Sequence, residues 1–262
     1  MWRRLTPLFV APLLIASPVA ARHADPPGAG WMRFEVAAAG RTLAAAMPSE
    51  ARTGQILTVV IEGDGRAHDR HGHASADPTP DRAVGLDLAQ AWPGPTAWLG
   101  RPCQYVQDSA CKPADWTTQR FSEEAVAMTD AAVSALMSKV EAERVILVGW
   151  SGGGVMATLV AARREDVVGL VTIAAPLNVA AWTRSRGLSP LNGLDPAELG
   201  PLAFPQIHLS GAFDPLVRPA VVKDTARRLA GPQGQVETWP ERHDCCWVAR
   251  VDQIAAGLNA QP

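Results

Sequence analysis

Uninterrupted apolar runs alternate along this chain with stretches whose apolar positions recur every three or four residues. The clearest run is ILTVVI at Ile56–Ile61, bounded by turn residues. A strand with no polar alternation is one buried on both faces. Further strands are expected at 97–99, 145–148, 168–173, 206–209 and 236–239. Between them, helical spacing predicts helices at 123–140, 152–164, 220–230 and 247–258. The first of these opens on Ser122, a good N-cap, followed by Glu123 and Glu124 where the helix dipole favours negative charge. Earlier still, 31–36 and 41–47 read as two strands of a hairpin around Gly40. Strands that alternate with helices predict an α/β fold: a mostly parallel, doubly wound sheet with helices on both faces.

Two segments break the alternation. Residues 176–204 contain four prolines, and Arg184 and Arg186 lie close to Trp182. That is longer than an ordinary connection in such a sheet. It reads as a small cap over the site, or equally as a plain surface excursion. The other segment is the start. Arg3 and Arg4 precede an apolar stretch too short to span a bilayer comfortably, and Val19 and Ala21 occupy the −3 and −1 positions of a cleavage site. Residues 1–21 are therefore expected to be a signal peptide, with an uncleaved anchor as the alternative. The domain proper is 22–262, exported to the periplasm or secreted, with no stable membrane span after cleavage. Four cysteines agree with export. Cys103 and Cys111 are the preferred disulfide. Cys245 and Cys246 are adjacent and either bridge each other or stay reduced.

Composition adds one exclusion. Formal net charge is −2 and no basic block stands out, so nucleic acid is not an expected partner.

The chemistry is concentrated where strand 145–148 must turn into a helix, at Gly149-Trp150-Ser151-Gly152-Gly153. A sharp strand-to-helix turn needs small neighbours, which Gly149 and Gly153 supply. Ser151 is then presented at the carboxyl edge of the sheet. The Gly152 N–H opens the helix beside it, where the dipole favours developing negative charge. This G-x-S-x-G elbow in its strand–helix context resembles the α/β-hydrolase superfamily over roughly 31–258. The stretch from Gly100 to Ser122, with the I-E-G-D-G turn and the G-x-S-G-G-G elbow, also resembles uncharacterised exported bacterial hydrolases of that fold.

The resemblance implies an acid and a histidine after later strands, in the order Ser, Asp or Glu, His. Asp214, 63 residues on, lies in a G-x-x-D-x-x-V stretch after strand 206–209. His243, 29 residues further, follows strand 236–239. Glu241 and Asp244 are the alternatives for the acid. His208, inside a strand, reads as structural. A second oxyanion donor is expected from the turn after ILTVVI. Glu62-Gly63-Asp64-Gly65 matches the superfamily's H-G-x-G turn in its glycines but carries Glu62 in place of histidine, which makes the Asp64 N–H the donor. An aspartate there either points away or selects against anionic substrates. His68, His71 and His73 follow in a loop whose spacing fits no zinc helix, so no metal and no cofactor is expected. Trp150 and Trp182 either line an aromatic pocket or are core. The expected activity is hydrolysis of a small-molecule carboxylic ester through a Ser-His-Asp triad and an acyl-enzyme. A peptidase or amidase is the runner-up, and an inactive binding protein of the same fold is the third reading.

Overall fold

The computed structural model describes residues 28, 30–50, 54–232 and 234–260. The expected signal peptide lies outside them. Among the described residues, eight strands form one sheet: β1 (Trp31–Ala38), β2 (Arg41–Pro48), β3 (Ile56–Ile61), β4 (Thr96–Leu99), β5 (Arg144–Trp150), β6 (Val167–Ile173), β7 (Gln206–Gly211) and β8 (Gln235–Trp239). Their order is β1-β2-β4-β3-β5-β6-β7-β8. β1 pairs antiparallel with β2, and β2 antiparallel with β4. From β4 across to β8 every pairing is parallel. The helices are α1 (Val84–Ala91), α2 (Pro113–Trp116), α3 (Glu123–Lys139), α4 (Gly152–Ala161), α5 (Val179–Arg186), α6 (Pro219–Ala230) and α7 (Val251–Asn259). No helix of the described residues is long and apolar enough to cross a membrane.

The pleat explains the central runs. Leu57, Val59 and Ile61 join the core beneath α3 and α4, whereas Val60 joins the core on the opposite face with α1 and α7. Successive side chains point to opposite faces, so a strand covered on both sides must be apolar throughout. The β1–β2 hairpin closes through Ala39 (φ 48°) and Gly40 (φ 79°). Two consecutive positive φ values are what a two-residue turn requires to match strand twist. At α3 the Ser122 side chain accepts from the Ala125 N–H, as its sequence predicts.

Several elements differ from expectation. α4 stops at Ala161, three residues early, where Ala162-Arg163-Arg164 turns back toward β6. The last predicted helix begins as a 3₁₀ turn, Trp247–Arg250, before α7 takes over. α1, absent from the pattern reading, is one short helix that follows a Pro- and Asp-rich stretch. Segment 176–204 contains α5 and a 3₁₀ turn at Pro196–Glu198. It is tied to neighbouring loops: Trp182 Nε1 donates to Leu216 O (2.9 Å), Arg186 to Pro215 O (2.9 Å), and the Asn192 N–H to Thr118 O (2.7 Å).

His208 sits in β7 with 2% exposure. Its Nδ1 lies 2.8 Å from Thr172 Oγ1 and its Nε2 3.2 Å from Gln206 Oε1. Burial disfavours the imidazolium and pulls its pKa from 6.5 to about 4. The unfolded chain therefore takes up this proton first, and stability falls as pH drops from 6.5 to about 4. The loss is worth about 3 kcal/mol in full. Denaturant unfolding across that window is expected to give a flatter pH profile for His208→Gln than for wild type.

Candidate active site

β5 delivers its last residue, Trp150, to the carboxyl edge of the sheet, and α4 starts two residues later. Ser151 bridges them with φ 54° and ψ −126°, a region an L-residue rarely occupies. The surroundings fix it there. The Ser151 N–H donates to Ile173 O (2.8 Å), and Ser151 O accepts from the Gly154 N–H (2.9 Å).

The glycines of the turn are set by contact. A β-carbon at Gly149 would lie 2.2 Å from Gly153 O, and one at Gly153 2.2 Å from Ile61 O. Neither obstacle is a movable side chain. Gly154 faces the Ala175 β-carbon in the same way, at 2.5 Å. Helix and strands thus pack backbone to backbone under the serine.

His243 comes to Ser151 from the loop after β8. Its Nε2 is 3.0 Å from Ser151 Oγ, and its Nδ1 is 2.7 Å from Asp214 Oδ2. Asp214 is buried on the loop after β7, where its Oδ1 accepts from the N–H groups of Leu216 (2.7 Å) and Val217 (2.9 Å). Of the three acids considered, Asp214 is the one that meets the histidine. Glu241 instead accepts from the Cys246 N–H and from Arg250 Nε, both at 2.9 Å, and so braces the loop. Asp244 is exposed.

Two indoles hold the backbone of His243. Trp150 Nε1 donates to its carbonyl at 2.8 Å and Trp247 Nε1 at 3.1 Å. Trp150 also covers Gly63, where a β-carbon would meet its ring at 2.5 Å. It is therefore a buried brace between the β3 turn and the histidine loop. Trp182 is half-buried against the loop that carries Asp214. No local sequence pattern announces the indole pair, because its partners are 93 and 4 residues from the carbonyl they share.

Glu62 is fully buried. Its carboxylate accepts from the N–H groups of Gly63 (3.0 Å), Gly85 (3.0 Å) and Leu86 (3.3 Å), and from Trp98 Nε1 (3.0 Å). Burial raises its pKa, and these four donors oppose that rise. Gln104 Nε2 donates to Gly63 O (2.9 Å) and completes the support of the turn. The turn leaves the Asp64 N–H without an acceptor among the described residues, as the helix start leaves the Gly152 N–H. The Asp64 carboxylate packs against Gly152 and pairs with Arg101 (3.0 Å) and Arg120 (2.9 Å).

Cys103 and Cys111 are joined in a disulfide, and so are Cys245 and Cys246. His68, His71 and His73 lie exposed on a loop in which Asp69 Oδ1 accepts from the N–H groups of His71 (2.8 Å) and His73 (3.0 Å). Among the described residues, no group of three or more His, Cys, Asp or Glu is placed to hold a metal ion.

A hydroxyl hydrogen-bonded to an imidazole that a carboxylate orients can act as a nucleophile with a built-in base. The unengaged N–H groups nearby can receive an oxyanion.

No protein-family model matches the chain, nor does any curated protein sequence. Among solved structures it is similar to an esterase from Pyrococcus furiosus (TM-score 0.61, 12% identity, 88% of this chain and 92% of that one). It is also similar to an alpha-beta serine hydrolase homologue from Coxiella burnetii (0.56, 17%, 87% and 95%). A hyperthermophilic esterase from Pyrobaculum calidifontis is similar as well (0.60, 14%, 88% and 85%). The chain has the α/β-hydrolase fold.

Gly153→Ala is expected to force β3 and α4 apart, at a cost of about 3 kcal/mol or more. Guanidinium titration of the variant would measure it as a lower midpoint.

Proposed function

We propose that this α/β-hydrolase-fold protein is an exported serine hydrolase that cleaves carboxylic esters through an acyl-enzyme. One observation carries the reading: the relay from Asp214 through His243 to Ser151 at 2.7 and 3.0 Å. The free N–H groups of Gly152 and Asp64 beside it add support, as do the esterases among the similar structures.

The steps follow from these groups. Ser151 Oγ attacks the ester carbonyl carbon while His243 Nε2 takes the hydroxyl proton. The carbonyl π pair moves onto oxygen, which the Gly152 and Asp64 N–H groups receive. Asp214 keeps the Nδ1 proton directed toward itself and stabilises the imidazolium. Collapse of the tetrahedral intermediate breaks the bond to the leaving alkoxide, and His243 returns the proton to it. A water, deprotonated by the same Nε2, then attacks the acyl-enzyme. This releases the acid and restores Ser151.

A fluorophosphonate probe is expected to label the wild-type chain and to leave Ser151→Ala unlabelled. An unlabelled wild type would sink the mechanism and favour a binding protein. His243→Ala is expected to lower kcat by about 10⁴ or more on a p-nitrophenyl ester. Turnover of p-nitrophenyl esters well above aminoacyl anilides is the expected outcome of a substrate panel. The reverse order would make the protein a peptidase or amidase.

A further inference from the structure

Asp64 acts on the site in two ways. Its N–H is one of the two free donors, and its carboxylate packs against the other. A β-carbon on Gly152 would lie 2.0 Å from Asp64 Oδ1 and 2.3 Å from its Cγ. A lone carboxylate there would oppose negative charge forming on a substrate oxygen, because like charges a few ångströms apart repel strongly where water is excluded.

This carboxylate is not alone. Oδ1 accepts from Arg101 Nη1 (3.0 Å) and Oδ2 from Arg120 Nη1 (2.9 Å). The arginines are 4% and 7% exposed. Each is locked by a carbonyl, Arg101 Nη2 on Arg120 O (2.6 Å) and Arg120 Nε on Thr117 O (2.8 Å). Two positive charges therefore enclose one negative charge. The other ionisable groups nearby are accounted for. The Glu62 carboxylate, held by its four N–H donors, also acts on Arg101 and helps balance the pair of guanidiniums. Asp115 lines the same cleft, with Arg41 Nη1 3.7 Å away. Partial burial, and after it the Arg120 charge, lowers the His68 pKa.

We infer that Arg101 and Arg120 neutralise the Asp64 carboxylate, so that it does not oppose an anion at the oxyanion position. Acting through Asp64, they offset its negative charge beside the Gly152 and Asp64 N–H groups. They are positioning residues for the proposed acyl transfer, so the inference rests on the serine-hydrolase reading. It also explains how an aspartate can occupy the turn: paired twice, it anchors two cations next to a developing anion.

Removing charges in pairs separates this role from a purely structural ion pair. Arg120→Gln leaves one guanidinium against one carboxylate. It is expected to lower kcat about tenfold or more on a p-nitrophenyl ester, with KM little changed. It should also weaken a boronic acid, whose serine adduct is a tetrahedral anion, by a similar factor. Asp64→Asn removes the carboxylate nearest Gly152, keeps both guanidiniums, and is expected to tighten the boronic acid about threefold or more. Asp64→Asn combined with Arg120→Gln restores the original net charge and is expected to bind the boronic acid more tightly than Arg120→Gln alone. A structural network gives the reverse order, since each further loss weakens it. A double variant worse than the single would overturn the inference, as would an Arg120→Gln enzyme with wild-type kcat. If thermal melting shows Arg120→Gln unfolded, Asp64→Asn decides alone, and weaker boronic acid binding there overturns it. A wild type that the fluorophosphonate leaves unlabelled overturns the serine-hydrolase reading and this inference together. A labelled wild type with the wrong order of variants overturns the inference alone.

Discussion

The site depends on one close approach, in which β3, β5 and α4 meet with no side chain between them. Gly149 faces the Gly153 carbonyl, and Gly153 faces the carbonyls of Ile61 and Glu62. Because the three backbones touch, the turn after β3 lies alongside the start of α4, and both present N–H groups beside Ser151. The positive φ of Ser151 follows from the same constraint. A helix that starts so tightly against its own strand leaves the connecting residue no ordinary conformation. The backbone strain is offset by packing, with every residue of α4 buried.

Buried charge is the second organising theme. Glu62, Arg101 and Arg120 are buried and Asp64 is half-buried, and each is matched by donors or by opposite charge. Burial would make any of them costly alone. Matched, they hold the β3 turn and the loop from Gly100 to Ser122 in one register. The Cys103–Cys111 disulfide lies within that loop, and Arg41 Nη2 contacts both of its sulfurs at 3.1 Å.

Much of this was legible in the sequence, for physical reasons. The core strands were readable because burial on both faces demands unbroken apolar runs, and Ser122 because a helix start needs an acceptor. Ser151 is legible from the glycines of its strand-to-helix turn, whereas Asp214 and His243 follow from the order that the resemblance implies, with Glu241 and Asp244 left open for the acid. What stayed hidden depends on distant partners. The sequence presented Asp64 as a puzzle, since nothing near it in the chain reveals Arg101 and Arg120, 37 and 56 residues away. Glu62 looked like a departure from an H-G-x-G turn, because its donors at Gly85 and Leu86 belong to a helix too short to register as a period. Trp150 could be pocket or core until His243 and Gly63 were placed on its two sides.

The way His243 is held has a consequence for how this scaffold can diversify. Its carbonyl is anchored by Trp150 and Trp247, and both indoles are buried. The anchorage comes from the interior, while Phe213, Leu216 and Leu188 stand exposed on neighbouring loops. The side chains of these three residues take no part in that anchorage. Those exposed positions can therefore vary one at a time while the backbone of His243 stays pinned from within.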